Sequence, residues 1–252
     1  MATKALVIVH GAGKQMSDYY VPVVAAFTKV MGHEPNALAC WYADLSNIGA
    51  PVFADDDPSL PEEERQVRLE LKKQIREQYQ ETVATHPEAV SFGIGDWFAF
   101  VADLIADVSR YLSEDALAAK IQDRLIAVLD KAKAYDEVTL VSHSLGTVVA
   151  YDVLRKHAQG YNVRHLITMG SPLRKAVLAG KRPNDVGQIA LPAVETWDNI
   201  YDATDLVANP IATTFPGYKV NDMVVDNGNL PIESHDYWPN PKVLGFIADL
   251  LN

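Results

Sequence analysis

The 252-residue chain holds a single cysteine, Cys40. That excludes an internal disulfide framework and fits a reducing compartment. It also has no run near the ~20 apolar residues needed to span a bilayer, so no integral membrane segment is expected. The apolar stretch at residues 4–9 is too short for the core of a secretory signal and runs straight into His10-Gly11-Ala12-Gly13. A cytoplasmic setting is therefore expected. Basic residues are scarce as well. With 22 Lys and Arg against 33 Asp and Glu, the formal net charge is −11, which argues against nucleic-acid backbones and anionic membrane surfaces as partners. No internal repeat is visible. A chain of this length forms one large α/β domain or two small ones. It buries roughly three quarters of its unfolded surface and needs no staples.

The most informative stretch is Val138-Thr139-Leu140-Val141-Ser142-His143-Ser144-Leu145-Gly146-Thr147. A β-branched apolar run leads to a serine with small residues two positions away on either side. A helical pattern follows, with Val148, Val149, Val153 and Leu154 at helical spacing and Gly160 as a stop. This is the layout of a nucleophile elbow, in which a tight strand-to-helix turn exposes one reactive side chain. The helix N-terminus beneath it favours developing negative charge. The first glycine of the usual G-x-S-x-G is Ser142 here, which is still small enough for close packing.

Apolar strand-like runs fall at 4–9, 37–42, 137–142, 163–168, 194–201 and 218–225, with helical patterns at 18–31, 114–134, 145–158 and 241–251. Such alternation predicts a parallel sheet covered on both faces, with the ligand site beyond the carboxyl ends of the strands. Residues 53–113 break the alternation. Ser59-x-x-Glu62 reads as a capping box opening a helix to about 86, with Val67, Leu71, Ile75, Tyr79 and Val83 as its apolar stripe. A second helix at about 96–112 carries Trp97, Phe98, Val101, Leu104, Ile105, Val108 and Leu112 on one face, with Asp96, Asp103, Asp107 and Arg110 opposite. Two amphipathic helices packed on the domain, or a cap shaping an acyl pocket, both fit. An interfacial membrane helix fits less well, because the polar face is acidic.

A serine hydroxyl needs a base, and the base needs a third group to hold its tautomer. Of seven histidines, only His235 follows the last strand run and precedes the final helix. His10 ends the first strand, His143 sits inside the elbow pointing elsewhere, and His33, His86, His157 and His165 lie in turns, a helix end or a strand. For the acid, Asp202 and Asp205 both end a strand. Asp205 is preferred because the apolar pair Leu206-Val207 can anchor its loop, and Asp202 reads as a turn-forming residue. Asp198 is inside the strand, and Asp236 would have to fold back. The oxyanion donors are expected at the backbone N–H groups of Leu145 and of Ala12, in the loop after the first strand. That loop fits neither G-x-G-x-x-G nor a P-loop around Lys14. Arg174, Lys175, Lys181 and Arg182 could meet an acidic headgroup, but such a cluster is more often a solvated loop.

Together with Gly170-Ser171-Pro172-Leu173 and the His235-x-Tyr237-Trp238 loop, these residues resemble the α/β-hydrolase superfamily, and within it lipase- and esterase-like members. The resemblance implies one α/β-hydrolase domain over residues 1–252, with a mostly parallel sheet shortened at its N-terminal side and a helical insertion at about 53–113. It implies a serine esterase acting through Ser144, His235 and Asp205 on a small-molecule ester, with an apolar acyl group suggested by the aromatic insertion, and with no cofactor or metal. A thioesterase or amidase, or a cofactor-free perhydrolase or lyase, would use the same triad. A non-catalytic binding protein on the same scaffold is the reading of a different class.

Overall fold

The structure, a computed structural model, describes residues 2–13, 15–45, 59–86, 94–157, 160–181, 194–228 and 230–252. Among the described residues, six strands form one sheet in the order β2-β1-β3-β4-β5-β6. They are β1 (Lys4–Val9), β2 (Ala37–Cys40), β3 (Glu137–His143), β4 (Val163–Met169), β5 (Thr196–Asp202) and β6 (Val220–Val225). Every neighbouring pair among these strands is parallel, as expected of a parallel sheet covered on both faces.

Because both faces of such a sheet are covered, β1 is a continuous apolar run from Ala5 to Val9, buried throughout, instead of alternating with polar residues. In β1, Val7 and Val9 join the larger core while Leu6 and Ile8 join the smaller one on the opposite face. The smaller core is closed by α1 (Val21–Met31) and α8 (Pro241–Leu251). The larger is closed by α2 (Glu62–Thr85), α3 (Ile94–Ser113), α4 (Asp115–Ala132) and α5 (Leu145–His157). Two further short helices among the described residues are α6 (Leu173–Leu178) and α7 (Pro231–Ser234). The final helix starts where Asn240 accepts a hydrogen bond from the Lys242 N–H, with Pro241 at its first position.

The insertion differs from the sequence expectation in three respects. The residue capping α2 is Pro61, not Ser59, and no side chain caps the helix, so the Ser59-x-x-Glu62 box does not form. Val67, Leu71 and Ile75 are buried as expected, but Tyr79 and Val83 are only half-buried. Glu64, Arg68, Gln74 and Thr82 share the buried side. Arg68 pairs with Glu64 one turn earlier at 2.5 Å, which lets both charges leave water. On α3, Asp107 is buried rather than solvent-facing, and its Oδ2 accepts the Gly13 N–H at 3.2 Å. The Asp96, Trp97, Phe98 and Asp103 side chains, and residues 53–58 and 87–93, lie outside the described residues. Among the described residues, no helix is long and apolar enough to cross a membrane.

Candidate active site

The elbow is formed as a strained turn. Ser144 has φ 51°, and among the described residues no other residue except glycine has a positive φ. The cost of that conformation is tolerated because the turn is pinned on both sides. The Ser144 N–H donates to the Met169 carbonyl at 2.9 Å, and the Thr147 N–H and Oγ1 both donate to the Ser144 carbonyl. Ser142 is fully buried and donates its hydroxyl to the Ile167 carbonyl at 3.0 Å, so the serine that replaces the usual glycine cross-links β3 to β4.

Close approach explains two glycines. A Cβ on Gly11 would stand 2.6 Å from the Ser144 Cβ. A Cβ on Gly146 would overlap the His10 carbonyl oxygen and lie 3.0 Å from the Val9 carbonyl oxygen. Gly146→Ala therefore forces the first strand's end away from α5. We expect it to lower the unfolding free energy by about 1–3 kcal/mol, measured by urea titration. An undiminished value would contradict the tight packing of the elbow against the 10–12 loop.

His10 shapes that loop. Its ring is buried and stacks on Tyr42 at a centroid distance of 4.1 Å. The Tyr42 N–H donates to Nε2 at 3.1 Å, so the proton of the neutral ring sits on Nδ1 and is donated to the Gly11 carbonyl at 2.6 Å. Burial drives its pKa down to about 4, against smaller upward pulls from the Gly11 carbonyl and Asp44. Below pH ~6.5 the unfolded chain binds a proton at this position that the folded chain refuses. Stability should thus fall by about 3 kcal/mol between pH 6.5 and 4 on this account and level off below. A His10→Gln variant should lose correspondingly less over the same window in urea titrations. Equal losses would show that His10 is not the group responsible.

Beyond β5, the structure brings Asp205 and His235 together. Asp205 Oδ2 accepts from His235 Nδ1 and from the Tyr237 hydroxyl, each at 2.8 Å, and Oδ1 accepts the Val207 N–H at 2.9 Å. Burial alone would raise the Asp205 pKa. The His235 charge and these hydrogen bonds outweigh it and hold the carboxyl below its usual range. Asp202 faces elsewhere. Its Oδ1 accepts from the Thr204 N–H and hydroxyl at 2.7 Å and its Oδ2 from the Asn227 N–H at 2.6 Å, as a turn-forming residue does. Tyr237 links the two acids, because the same hydroxyl that donates to Asp205 accepts the Asp202 N–H at 2.8 Å. Ser144, Leu145, Asp205 and His235 are all buried, and Ala12 is half-buried. The Ser144 hydroxyl has no hydrogen-bond partner among the described residues. Its bond to an imidazole is thus not made in this state, a bond that commonly tightens only around substrate.

Three residues named in the sequence take roles at the site that their local pattern did not assign. His143 does not simply point away. Its Nε2–H donates to the His235 backbone carbonyl at 2.9 Å, and the two rings lie 4.7 Å apart. Burial, then the neighbouring His235, lower its pKa to about 3, so it is a neutral prop for the His235 loop. Gly170, with φ 59°, passes so close to that ring that a Cβ would stand 2.9 Å from His235 Cε1. Lys175 is not part of a solvated basic loop. It is 3% exposed and hydrogen-bonded beneath the Asp205 loop. Lys181 instead forms an ion pair with Glu63 of α2, and Arg182 lies outside the described residues, as does Lys14. Among the described residues, no group of His, Cys, Asp and Glu is arranged to hold a metal ion.

The sheet order, the elbow at the end of its third strand and the acid and histidine loops beyond later strands define an α/β-hydrolase-superfamily architecture. The model of the PGAP1-like alpha/beta domain matches residues 64–222, more than half of the chain, and the chain belongs to that family. No curated protein matches the sequence. Among solved structures, the chain is similar to a protein from Xanthomonas campestris pv. campestris described as a hydrolase of the alpha/beta superfamily. That pair shares 14% identity at a TM-score of 0.45, over 98% of this chain and 97% of the other. It is also similar to the type II thioesterase BorB from the borrelidin biosynthetic cluster, with 14% identity, a TM-score of 0.45, and coverage of 99% and 93%. A third is the RedJ thioesterase of the prodiginine pathway in Streptomyces coelicolor, with 15% identity, a TM-score of 0.43, and coverage of 99% and 85%. Likeness at this level says nothing of substrate.

Proposed function

We propose that the protein is a serine hydrolase that cleaves carboxylic esters through an acyl-Ser144 intermediate. The observation that carries this reading is the joint presence of a left-handed, strained Ser144 at a strand-to-helix turn and a buried His235–Asp205 pair. A strained, buried, unbonded hydroxyl is costly to keep in a fold, and a nucleophile is the role that repays it.

In the proposed reaction, Ser144 Oγ attacks the ester carbonyl carbon while His235 Nε2 takes the hydroxyl proton. Asp205, accepting from Nδ1, holds the imidazole in the tautomer that leaves Nε2 basic and stabilises the imidazolium that forms. The oxyanion would lie between the N–H groups of Ala12 and Leu145, each worth about 3–4 kcal/mol in the transition state. His235 then returns the proton to the leaving alcohol. Water, deprotonated by the same imidazole, attacks the acyl carbon and releases the acid and Ser144.

The test is hydrolysis of p-nitrophenyl esters from acetate to palmitate, and of thioesters with the same acyl chains, by wild type beside Ser144→Ala. Turnover by wild type alone supports the reading, and the preferred chain length and leaving group identify the substrate class. If wild type shows no turnover and a fluorophosphonate fails to label Ser144, the reading is wrong and a binding role on this scaffold takes its place.

A further inference from the structure

The loop that carries Asp205 is held from beneath by two side chains belonging to other elements. Lys175, on α6, donates from Nζ to Gln78 Oε1 at 2.7 Å, to the Val207 carbonyl at 3.0 Å and to Asn209 Oδ1 at 2.5 Å. An ammonium has three protons, and all three are used. Gln78, on α2, donates from Nε2 to the carbonyls of Asp205 and Ala208, each at 3.0 Å. Asn209 Nδ2 closes the network by donating to Gln78 Oε1 at 3.2 Å. The carbonyls of residues 205, 207 and 208 and the side chain of 209 thus all end on these two residues. On its other side the loop presents the Asp205 carboxylate to His235 and Tyr237.

Stability does not explain this arrangement. Burying a lysine costs several kcal/mol, and apolar side chains of similar volume often stabilise such sites equally well. What the network provides is a fixed position for one loop. We propose that Lys175 and Gln78 are positioning residues that hold Asp205 at hydrogen-bonding distance from His235, and that α2 thereby acts as a brace for the site and not as a mobile cap. The inference rests on the serine-hydrolase reading above. It is consistent with the electrostatics of the lysine: burial draws the Lys175 pKa down to about 7, and the first opposing influence is the Asp205 charge.

The test compares wild type, Gln78→Leu and Lys175→Met on the preferred p-nitrophenyl ester. Gln78 is half-buried on a long helix and carries no charge, so its replacement is expected to be better tolerated in folding than Lys175→Met. For Gln78→Leu, kcat should fall on the order of 10–100-fold, since a displacement of about 1 Å at a reacting group has that effect. KM should stay within about twofold, and fluorophosphonate labelling of Ser144 should slow by a similar factor to kcat. A Gln78→Leu protein with wild-type kcat and wild-type labelling rate overturns the inference, whatever its melting temperature, because the network is then only structural. A wild-type protein that neither turns over esters nor reacts with the probe overturns the serine-hydrolase reading and this inference with it. An active wild type beside a fully active Gln78→Leu overturns this inference alone.

Discussion

Ser144→Ala is expected to lower ester turnover by about 10⁶-fold and to leave the fold at least as stable as wild type. The kinetic loss follows from removing the attacking oxygen. What survives is acceleration of direct water attack by the oxyanion donors and by binding. The stability expectation comes from the same side chain seen as a folding problem. Its hydroxyl is buried without a hydrogen-bond partner among the described residues, and leaving a polar group in that condition costs about 1–3 kcal/mol. Alanine keeps the strained backbone and removes the orphaned oxygen, so a modest gain in unfolding free energy should accompany the loss of activity. His235→Ala should abolish turnover to a similar degree, because nucleophile and base act as a unit and their losses do not add. Turnover by Ser144→Ala within tenfold of wild type would remove the nucleophile from the proposal.

Asp205→Asn should cost about 10⁴-fold in kcat, while Asp202→Asn should leave kcat within a few-fold of wild type and cost stability instead. Asp205 Oδ2 accepts from both His235 Nδ1 and Tyr237. An amide nitrogen at that position would offer a proton where the ring needs an acceptor. The imidazole would then carry its own proton on Nε2, where it cannot take one from Ser144. The Asp202 carboxylate instead accepts hydrogen bonds from the Thr204 N–H and hydroxyl and from the Asn227 N–H. Its amide variant would set a donor against the Asn227 N–H, a loss visible in urea titrations and not in kcat. The opposite ranking of the two variants would reassign the acid to Asp202.

The elements most legible in the sequence were those whose signal is local. The elbow is written in ten consecutive residues, and β3 and α5 lie where that pattern predicts them, at Glu137–His143 and Leu145–His157. The parallel sheet followed from strand-like runs separated by helical periodicity, most clearly in β1, whose residues Ala5 to Val9 are apolar and buried on both faces. The insertion was legible as two helices, but their burial was not. Asp107 looks like a solvent-facing residue by helical spacing. It is buried because the 10–13 loop, more than ninety positions away, brings a backbone donor to it. Lys175 looks like one of four basic loop residues and is interior because α2 and the 205–209 loop supply its acceptors.

The chain by itself thus determined the class of architecture, the position of the candidate nucleophile Ser144 and the shortlist of partners, because each depends on residue type and short-range spacing. Tertiary structure decided which carboxylate faces the histidine and what holds that loop in place. It also decided that His10 and His143 are neutral props. Those outcomes depend on hydrogen bonds between residues 30 to 130 positions apart, and on burial that only the folded sheet and its covering helices create.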